Sequence, residues 1–295
     1  MKHSFLIILV NHNNWQDTIE CINSMLQHRI EFENIIVIEN GSTDNSLQLL
    51  KENFPDLNLF DTKSNLGFSG ANNVGLQFAI NGGLEYAILL NNDTIIESNS
   101  IDTLIGAMNK YQDVSIGTGQ IRYYPDINKI WYAGGKLIPS RGLAVHNNLN
   151  REVSSVKNTN TPELVTFISG CFMCIRVSDL SKLGMLNEKF FLYLEDIEYC
   201  ARAVKNGLKL LYVPNSIIYH KWHGERKLKT QTLYYAVRNR KLLIELCFPK
   251  IALIYFNVVL SIKILYWFLT DKTLLNSAIK GLTDYKNDVF GPYRN

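Results

Sequence analysis

The sequence predicts an α/β fold with a mostly parallel sheet and helices on both faces. Three observations predict it. Strand-like and helix-like segments alternate through the first hundred residues. Each strand-like run stops on a polar or glycine-containing cluster, and the chain, at 295 residues, is long enough to bury a substantial core.

The elements follow in order. Residues 5–10, "FLIILV", read as a strand, and 15–27 as an amphipathic helix. A strand over 34–38, a helix over 45–53, a short strand over 57–62, a helix over 70–81 and a strand over 86–90 complete the alternation. The clusters at the strand ends are Asn11-His12-Asn13, Glu39-Asn40-Gly41-Ser42, Asn65-Leu66-Gly67 and Asn91-Asn92-Asp93. Four such clusters on the carboxyl edge of one sheet describe a nucleotide site. Residues 122–162 lack periodicity and are rich in Gly, Asn, Ser and Pro, which predicts a long excursion or flap. A second ordered block follows: "ELVTFISGCFMCIR" is strand-like, a helix runs from about Glu195 to a glycine stop at Gly207, and "KLLYVPNSIIYH" is strand-like again.

Composition narrows the function. The formal charge of +3 gives no general attraction for nucleic acid, so any basic role is local. Six apolar residues after the amino terminus are too few for a secretory leader and suit a first strand. Five scattered cysteines (Cys21, Cys171, Cys174, Cys200 and Cys247) fit reduced thiols in a cytoplasmic setting. The Cys171/Cys174 pair, with no second pair nearby, reads as small buried apolar residues.

The chemistry-bearing residues sit at the polar ends. Breaking a sugar–phosphate bond leaves a diphosphate of growing negative charge, which a divalent cation on one or two carboxylates stabilises; Asp93 is the candidate ligand. Attack on the anomeric carbon needs a hydroxyl activated by a base, and Glu195-Asp196 below the aromatic run Phe190-Phe191-Leu192-Tyr193 supplies one. Each has a plainer alternative, a turn-starting aspartate and charges at a helix N-terminus.

Taken together, the stretches "IILVNHNN", "VIENGSTDNS", "NLGFSGANNVG", "LLNNDT", "SGCFMCIR" and "NEKFFLYLEDIEYCARA" resemble, in order and spacing over roughly residues 4–240, a family 2 glycosyltransferase of the GT-A fold in its rhamnosyltransferase-like branch. That resemblance implies a nucleotide-diphospho-sugar transferase fold with a C-terminal helical extension. It implies that Asn91-Asn92-Asp93 stands at the family's DxD metal motif, whose first carboxylate is Asn91 here, and that His220 joins Asp93 at the metal or diphosphate. It implies donor contacts from Asn11, Glu39, Asn65, Gly67, Gly70, Asn73, Asn91 and Asn92, an acceptor-facing Gly170, and Asp196 as base beside Glu195. The implied cofactor is Mg2+ or Mn2+. The implied reaction is inverting transfer, with dTDP-L-rhamnose as donor or a UDP-sugar in its place, to a bacterial surface glycan carried on lipid. A sugar nucleotidyltransferase is disfavoured because "LIILVNHNNW" lacks that class's glycine- and arginine-rich opening loop. A non-catalytic glycan-binding descendant would be expected to have lost Asp93 or the Glu195-Asp196 pair, and both remain.

The domain plan is a catalytic unit over 1–223 (nucleotide half 1–121, flap 122–162, acceptor half 163–223) and an extension over 224–295. In that extension, residues 220–250 carry eight Lys or Arg (Lys221, Arg226, Lys227, Lys229, Arg238, Arg240, Lys241 and Lys250) against Glu225 and Glu245. An apolar stretch follows that is broken by Lys263. No charge-free run reaches the ~20 residues of a bilayer span, so the expectation is an interfacial helix on anionic lipid, or one packed on the catalytic domain, in a protein peripheral on the inner face of the membrane.

Overall fold

The computed structural model describes residues 4–156, 160–221 and 230–294. Its strands are β1 (Phe5–Asn11), β2 (Ile35–Glu39), β3 (Asn58–Asp61), β4 (Tyr86–Asn91), β5 (Thr94–Ile96), β6 (Val114–Tyr124), β7 (Ile130–Tyr132), β8 (Gly135–Ile138), β9 (Leu143–His146), β10 (Glu163–Val165), β11 (Phe172–Arg176) and β12 (Lys209–Lys221). Its helices are α1 (Trp15–Gln27), α2 (Ser46–Asn53), α3 (Gly67–Asn81), α4 (Ser100–Lys110), α5 (Leu180–Leu183), α6 (Glu195–Lys205), α7 (Thr230–Cys247), α8 (Lys250–Thr270) and α9 (Lys272–Lys286).

The sheet runs β10-β12-β6-β11-β4-β1-β2-β3. Strands β3, β2, β1 and β4 are parallel, as the alternation predicts. Beyond β4 the sheet is mixed: β11 lies antiparallel to β4 and β6, and β6 pairs parallel with β12. Ile7, Ile8 and Leu9 at the centre are inaccessible on both faces, which is why β1 is an unbroken apolar run rather than an alternating one. Helix α3 lies so close to β1 that a Cβ at Gly75 would come within 2.4 Å of Ile8 Cγ2, so only glycine fits there.

The chain leaves β1 toward β2 and β3 on one side and returns to β4 on the other. The ends of β1 and β4 therefore flank a topological switch point, where such sheets bind ligands. Asn11 is in register with Glu39, and Val10 with Asn91, so these polar ends share one edge.

Residues 122–162 are more ordered than the sequence suggests. Strand β7 pairs with the end of β6, β8 and β9 form a hairpin, and Gly135 bridges to Phe167. The strands are three or four residues long, too short to show alternation, and are separated by Gly134 and Gly142 at φ +80° and +58°. The strand-like stretch before Arg176 is likewise two strands, split by residues 166–171, which turn toward the site.

The C-terminal helices cover one side. Leu233, Val237, Ile244, Ala252, Phe256, Leu260 and Trp267 form a second apolar cluster among α7, α8 and α9. The two apolar runs around Lys263 make one continuous helix of 21 residues, long and apolar enough to cross a membrane by length and composition. It is also partly packed: Ala252 lies against the tip of the β8–β9 hairpin at Gly142, while Ile251, Ile254, Val258, Ile262, Leu265 and Leu269 form an exposed stripe. Of the expected basic segment, Glu225, Arg226, Lys227 and Lys229 lie outside the described residues.

Candidate active site

At the switch point a cavity of about 220 Å³ opens between His12, Asn40, Asn65 and Gly67 on one side and Asn91, Asn92 and Asp93 on the other, closed below by Phe191 and Leu192. One polar network shapes its wall. His12 Nδ1 donates to the Asn40 carbonyl (3.0 Å), which leaves Nε2 to accept from Asn65 Nδ2 (3.0 Å). Asn65 Oδ1 in turn accepts from Asn40 Nδ2 (3.1 Å) and from Gly67 N (2.8 Å). Gly67 adopts φ +74°, and a Cβ there would sit 2.3 Å from the Phe191 carbonyl oxygen, so this turn closes only on glycine.

Several residues expected to face the donor lie behind this wall. Asn11 is fully buried, donating to Glu39 Oε2 (2.5 Å) and accepting from Thr18 Oγ1 (2.8 Å). It braces Glu39 rather than reaching the cavity, because alternation along β1 turns Asn11 inward and His12 outward. Glu39 is itself 1% exposed, its Oε1 accepting from Ser42 N at 2.7 Å. Asn73 donates to Leu186 O (3.0 Å) and accepts from Leu186 N (2.9 Å), clamping α3 to the loop before α6, and the neighbour nearest a Cβ on Gly70 is Leu66, with Glu188 farther off. Both lie off the cavity wall. His12, Asn40 and Phe68 are the residues sequence reasoning passed over; His12 stood in a cluster already picked out, and strand alternation was the signal for it.

Asp93 is the strongest candidate for holding a cation. Its Oδ1 is buried and faces His220 Nε2 at 3.2 Å, with no further partner among the described residues. A buried carboxylate is costly unless a positive or hydrogen-bond-donating group meets it, and His220 or a cation can serve. Among the described residues no third His, Cys, Asp or Glu joins the pair. One carboxylate oxygen and one imidazole nitrogen are a donor set that could hold a divalent ion, and the imidazole suits a transition ion such as Mn2+ better than Mg2+. Asn92 instead donates to Thr18 Oγ1 (2.7 Å), tying this turn to α1.

Glu195 and Asp196 start α6 after two left-handed non-glycine residues, Tyr193 and Leu194 (φ +70° and +71°). Asn239 of α7, fully buried, holds that turn by donating to the carbonyls of Leu192 and Tyr193, each at 2.8 Å. Burial pushes both acidic side chains above their ordinary range. They differ in compensation: Asp196 Oδ2 accepts from Gly170 N (3.1 Å) and Oδ1 from Ile197 N (2.8 Å), which favour its charged form, whereas Glu195 Oε2 is buried without a partner. The two N–H groups offset the effect of burial on Asp196, and nothing comparable reaches Glu195 Oε2. Cys171 links the two centres: its carbonyl accepts from Asn91 N (2.9 Å), and burial first, then the charges of Asp93 and Asp196, hold its thiol up. Cys174 is buried too, its thiol pushed up to about 12, so the pair acts as apolar filling. The site thus brings together a cavity of about 220 Å³, the Asp93–His220 pair and, through Leu192, the turn that carries Glu195 and Asp196.

Comparison with known proteins gives a consistent picture. Residues 6–184 match the family model described as glycosyl transferase family 2. The N-acetylglucosaminyl-diphospho-decaprenol L-rhamnosyltransferase of Mycobacterium tuberculosis is 26% identical over 210 residues, 64% of this chain and 67% of that protein. The low-salt glycan biosynthesis hexosyltransferase Agl10 of Haloferax volcanii is 27% identical over 213 residues, 71% of this chain and 64% of that protein. The chain thus spans about two thirds of these relatives' length. Among solved structures, GalNAc-T7 with UDP, GalNAc and Mn2+ superposes with a TM-score of 0.63 at 18% identity over 83% of this chain and 48% of that one. S. aureus TarS in complex with UDP-GlcNAc superposes at 0.57 and 17% identity over 97% and 81%. The fold is the GT-A fold of nucleotide-sugar transferases, with a helical C-terminal region.

Proposed function

The chain belongs to glycosyl transferase family 2 and is a glycosyltransferase, and from that premise we propose an inverting hexosyltransferase that moves L-rhamnose from dTDP-L-rhamnose to a hydroxyl of a lipid-linked surface glycan. The relatives that support rhamnose are the mycobacterial enzyme and the rhamnosyltransferase WbbL of Escherichia coli, 33% identical over 64 residues, 22% of this chain. A UDP-sugar donor is the second reading, favoured by the UDP-GlcNAc complex of the structural neighbour.

The observation that carries the mechanism is the contrast between Glu195 and Asp196. Asp196, whose carboxylate form is favoured by two backbone N–H groups, takes the proton of the acceptor hydroxyl as its oxygen bonds to the anomeric carbon. The bond from that carbon to the donor phosphate breaks and its electron pair leaves on the diphosphate. A single displacement inverts the anomeric centre once. The diphosphate occupies the cavity beside His12, Asn65 and Gly67, and a divalent cation on Asp93 and His220 would supply positive charge to the leaving group. Gly170, which fixes Asp196, allows the acceptor a close approach.

The exposed stripe of α8, from Ile251 to Leu269, together with the basic residues around it, supports a cytoplasmic protein peripheral on the inner face of the membrane. There the acceptor would be within reach. The helical extension over 224–295 then serves docking through α8, while its α7 also supports catalysis, since Asn239 holds the turn before Glu195.

The test is calorimetry of the full chain against dTDP-L-rhamnose, dTDP-glucose, UDP-glucose and UDP-GlcNAc with Mg2+ or Mn2+, followed by product stereochemistry. Tight, cation-dependent binding of dTDP-L-rhamnose alone and an inverted product are expected. Binding of none of the four overturns the donor reading, and a retained configuration overturns the mechanism.

A further inference from the structure

The flap region delivers two partly exposed side chains, Trp131 and His146, that border the main core and stand outside the lining of the nucleotide cavity. In β7, Ile130 and Tyr132 are 1% and 0% exposed, so alternation sends Trp131 to the opposite face, where it remains half-buried. Its ring lies between two imidazoles. The centroid is 4.9 Å from that of His220, which meets Asp93, and 4.8 Å from that of His146, at the base of the β8–β9 hairpin. His146 in turn lies within electrostatic range of Asp196. Trp131 and His146 together therefore run from the cation position toward the base.

His146 is held for a purpose. Its ring stacks on Phe167 (5.7 Å, 29°) and meets the edge of Tyr132 (5.1 Å), while Tyr132 OH donates to the Phe167 carbonyl at 2.7 Å. His146 Nδ1 lies 3.0 Å from the Trp131 carbonyl oxygen, which can only accept, so Nδ1 carries the proton. The neutral ring then presents the lone pair of Nε2. Burial lowers its pKa and favours that neutral form. A rigid acceptor atom beside an indole suits a pyranose, which has apolar C–H faces and a rim of hydroxyls.

We propose that Trp131 and His146 form the acceptor-sugar subsite: a pyranose of the acceptor packs on the Trp131 indole and donates one hydroxyl to His146 Nε2, which presents the neighbouring hydroxyl to Asp196. The inference rests on the transferase reading above and deepens it. It assigns acceptor choice to β7 and β9, whereas donor choice belongs to the cavity at the ends of β1, β2 and β4.

The test uses the full chain with octyl β-glycosides of N-acetylglucosamine, glucose and galactose and octyl α-L-rhamnoside as acceptors, and calorimetry of dTDP and UDP for the donor side. Trp131→Leu should raise acceptor KM by about tenfold or more, with Trp131→Phe between it and the parent, because an aromatic face is partly restored. His146→Gln should change the ranking of the four glycosides. Nucleotide affinity in every variant should stay within about twofold, a KM-specific signature that general misfolding would not give. Unchanged acceptor KM and ranking overturn the subsite. So does a parallel loss of nucleotide affinity, which would make Trp131 part of the donor wall. A parent protein that binds neither nucleotide and transfers to none of the glycosides brings down the transferase reading and this inference with it.

Discussion

Asn239 does not itself line the cavity, though it holds Leu192 beneath it, and replacing it with alanine should cost more activity than stability. Its amide nitrogen makes two hydrogen bonds of 2.8 Å to the carbonyls of Leu192 and Tyr193. At about 0.5–1.5 kcal/mol each, the clamp contributes about 1–3 kcal/mol. It holds Tyr193 and Leu194 in left-handed conformations, which cost non-glycine residues roughly 1–2 kcal/mol apiece. The two sums are of similar size, so without the clamp the turn is free to relax. Glu195 and Asp196 follow it immediately. A displacement of about 1 Å at a catalytic group costs on the order of a hundredfold, so Asn239→Ala should lower kcat by roughly ten- to a hundredfold. The melting temperature should fall by only about 3–8 °C for a chain of this size. Nucleotide affinity should hold within about twofold, because the cavity wall from His12 to Asn65 is untouched. The control is Leu233→Ala at the other end of α7, buried in the second apolar cluster, which should destabilise at least as much with little change in kcat. The reasoning fails if Asn239→Ala keeps kcat within about twofold while melting lower, or if the two variants lose activity in proportion to stability.

Other consequences follow from the same site. Asp93→Ala should abolish cation-dependent turnover and leave the circular dichroism spectrum unchanged, and full activity in excess chelator would refute the cation. Asp196→Asn should slow the chemical step by about two to four decades with nucleotide binding nearly intact; if Glu195→Gln did so instead, the base would be Glu195. Because burial raises the Glu195 pKa above the ordinary 4.5, the folded chain keeps a proton that the unfolded chain has lost, and stability falls as pH rises from 4.5 toward the raised value. Glu195→Gln should accordingly melt higher than the parent at pH 7, with the gap closing toward pH 4.5; a constant gap would remove the argument. Ile254→Glu with Leu265→Glu on the exposed stripe of α8 should reduce sedimentation with anionic vesicles and leave nucleotide binding unchanged, whereas equal sedimentation would count against docking through that face.

The parallel half of the fold was legible because its signals are local. A run such as Phe5 to Val10 between turn residues reads as a buried strand wherever it sits, and α1 begins and ends at the residues that its pattern indicates. Strand β6 was not legible, since Gly117 and Gly119 interrupt it. Those glycines are there because a Cβ would run into Met108 Sδ (2.4 Å) and the Ser216 carbonyl (2.2 Å), neighbours that only the tertiary fold brings in. The β7–β9 region failed for a different reason: its strands are three or four residues long, too short to show alternation although most of their pairing is local, with distant ties such as Gly135 to Phe167 added by the fold.

The site divides along a similar line. Motif residues announce that a polar cluster stands at a strand end, but which member faces the ligand depends on the phase of the strand. Asn11 and His12 are adjacent, and register alone makes the first a brace for Glu39 and the second part of the cavity wall. Asn73 illustrates the other failure, for its place in a glycine-rich segment suggested a ligand contact, while its side chain satisfies both the N–H and the carbonyl of Leu186, 113 residues away. That contact has a consequence for the chemistry. The α3 helix that begins at the Gly67 turn is tied at Asn73 to the loop entering the Phe190–Tyr193 run, and Ser69 Oγ donates to the Phe190 carbonyl at 2.7 Å. The donor wall and the turn that carries Asp196 are therefore one mechanical piece, gripped from α3 on one side and from Asn239 of α7 on the other. A residue expected in substrate binding instead ties the cavity wall to the segment that leads into Glu195 and Asp196.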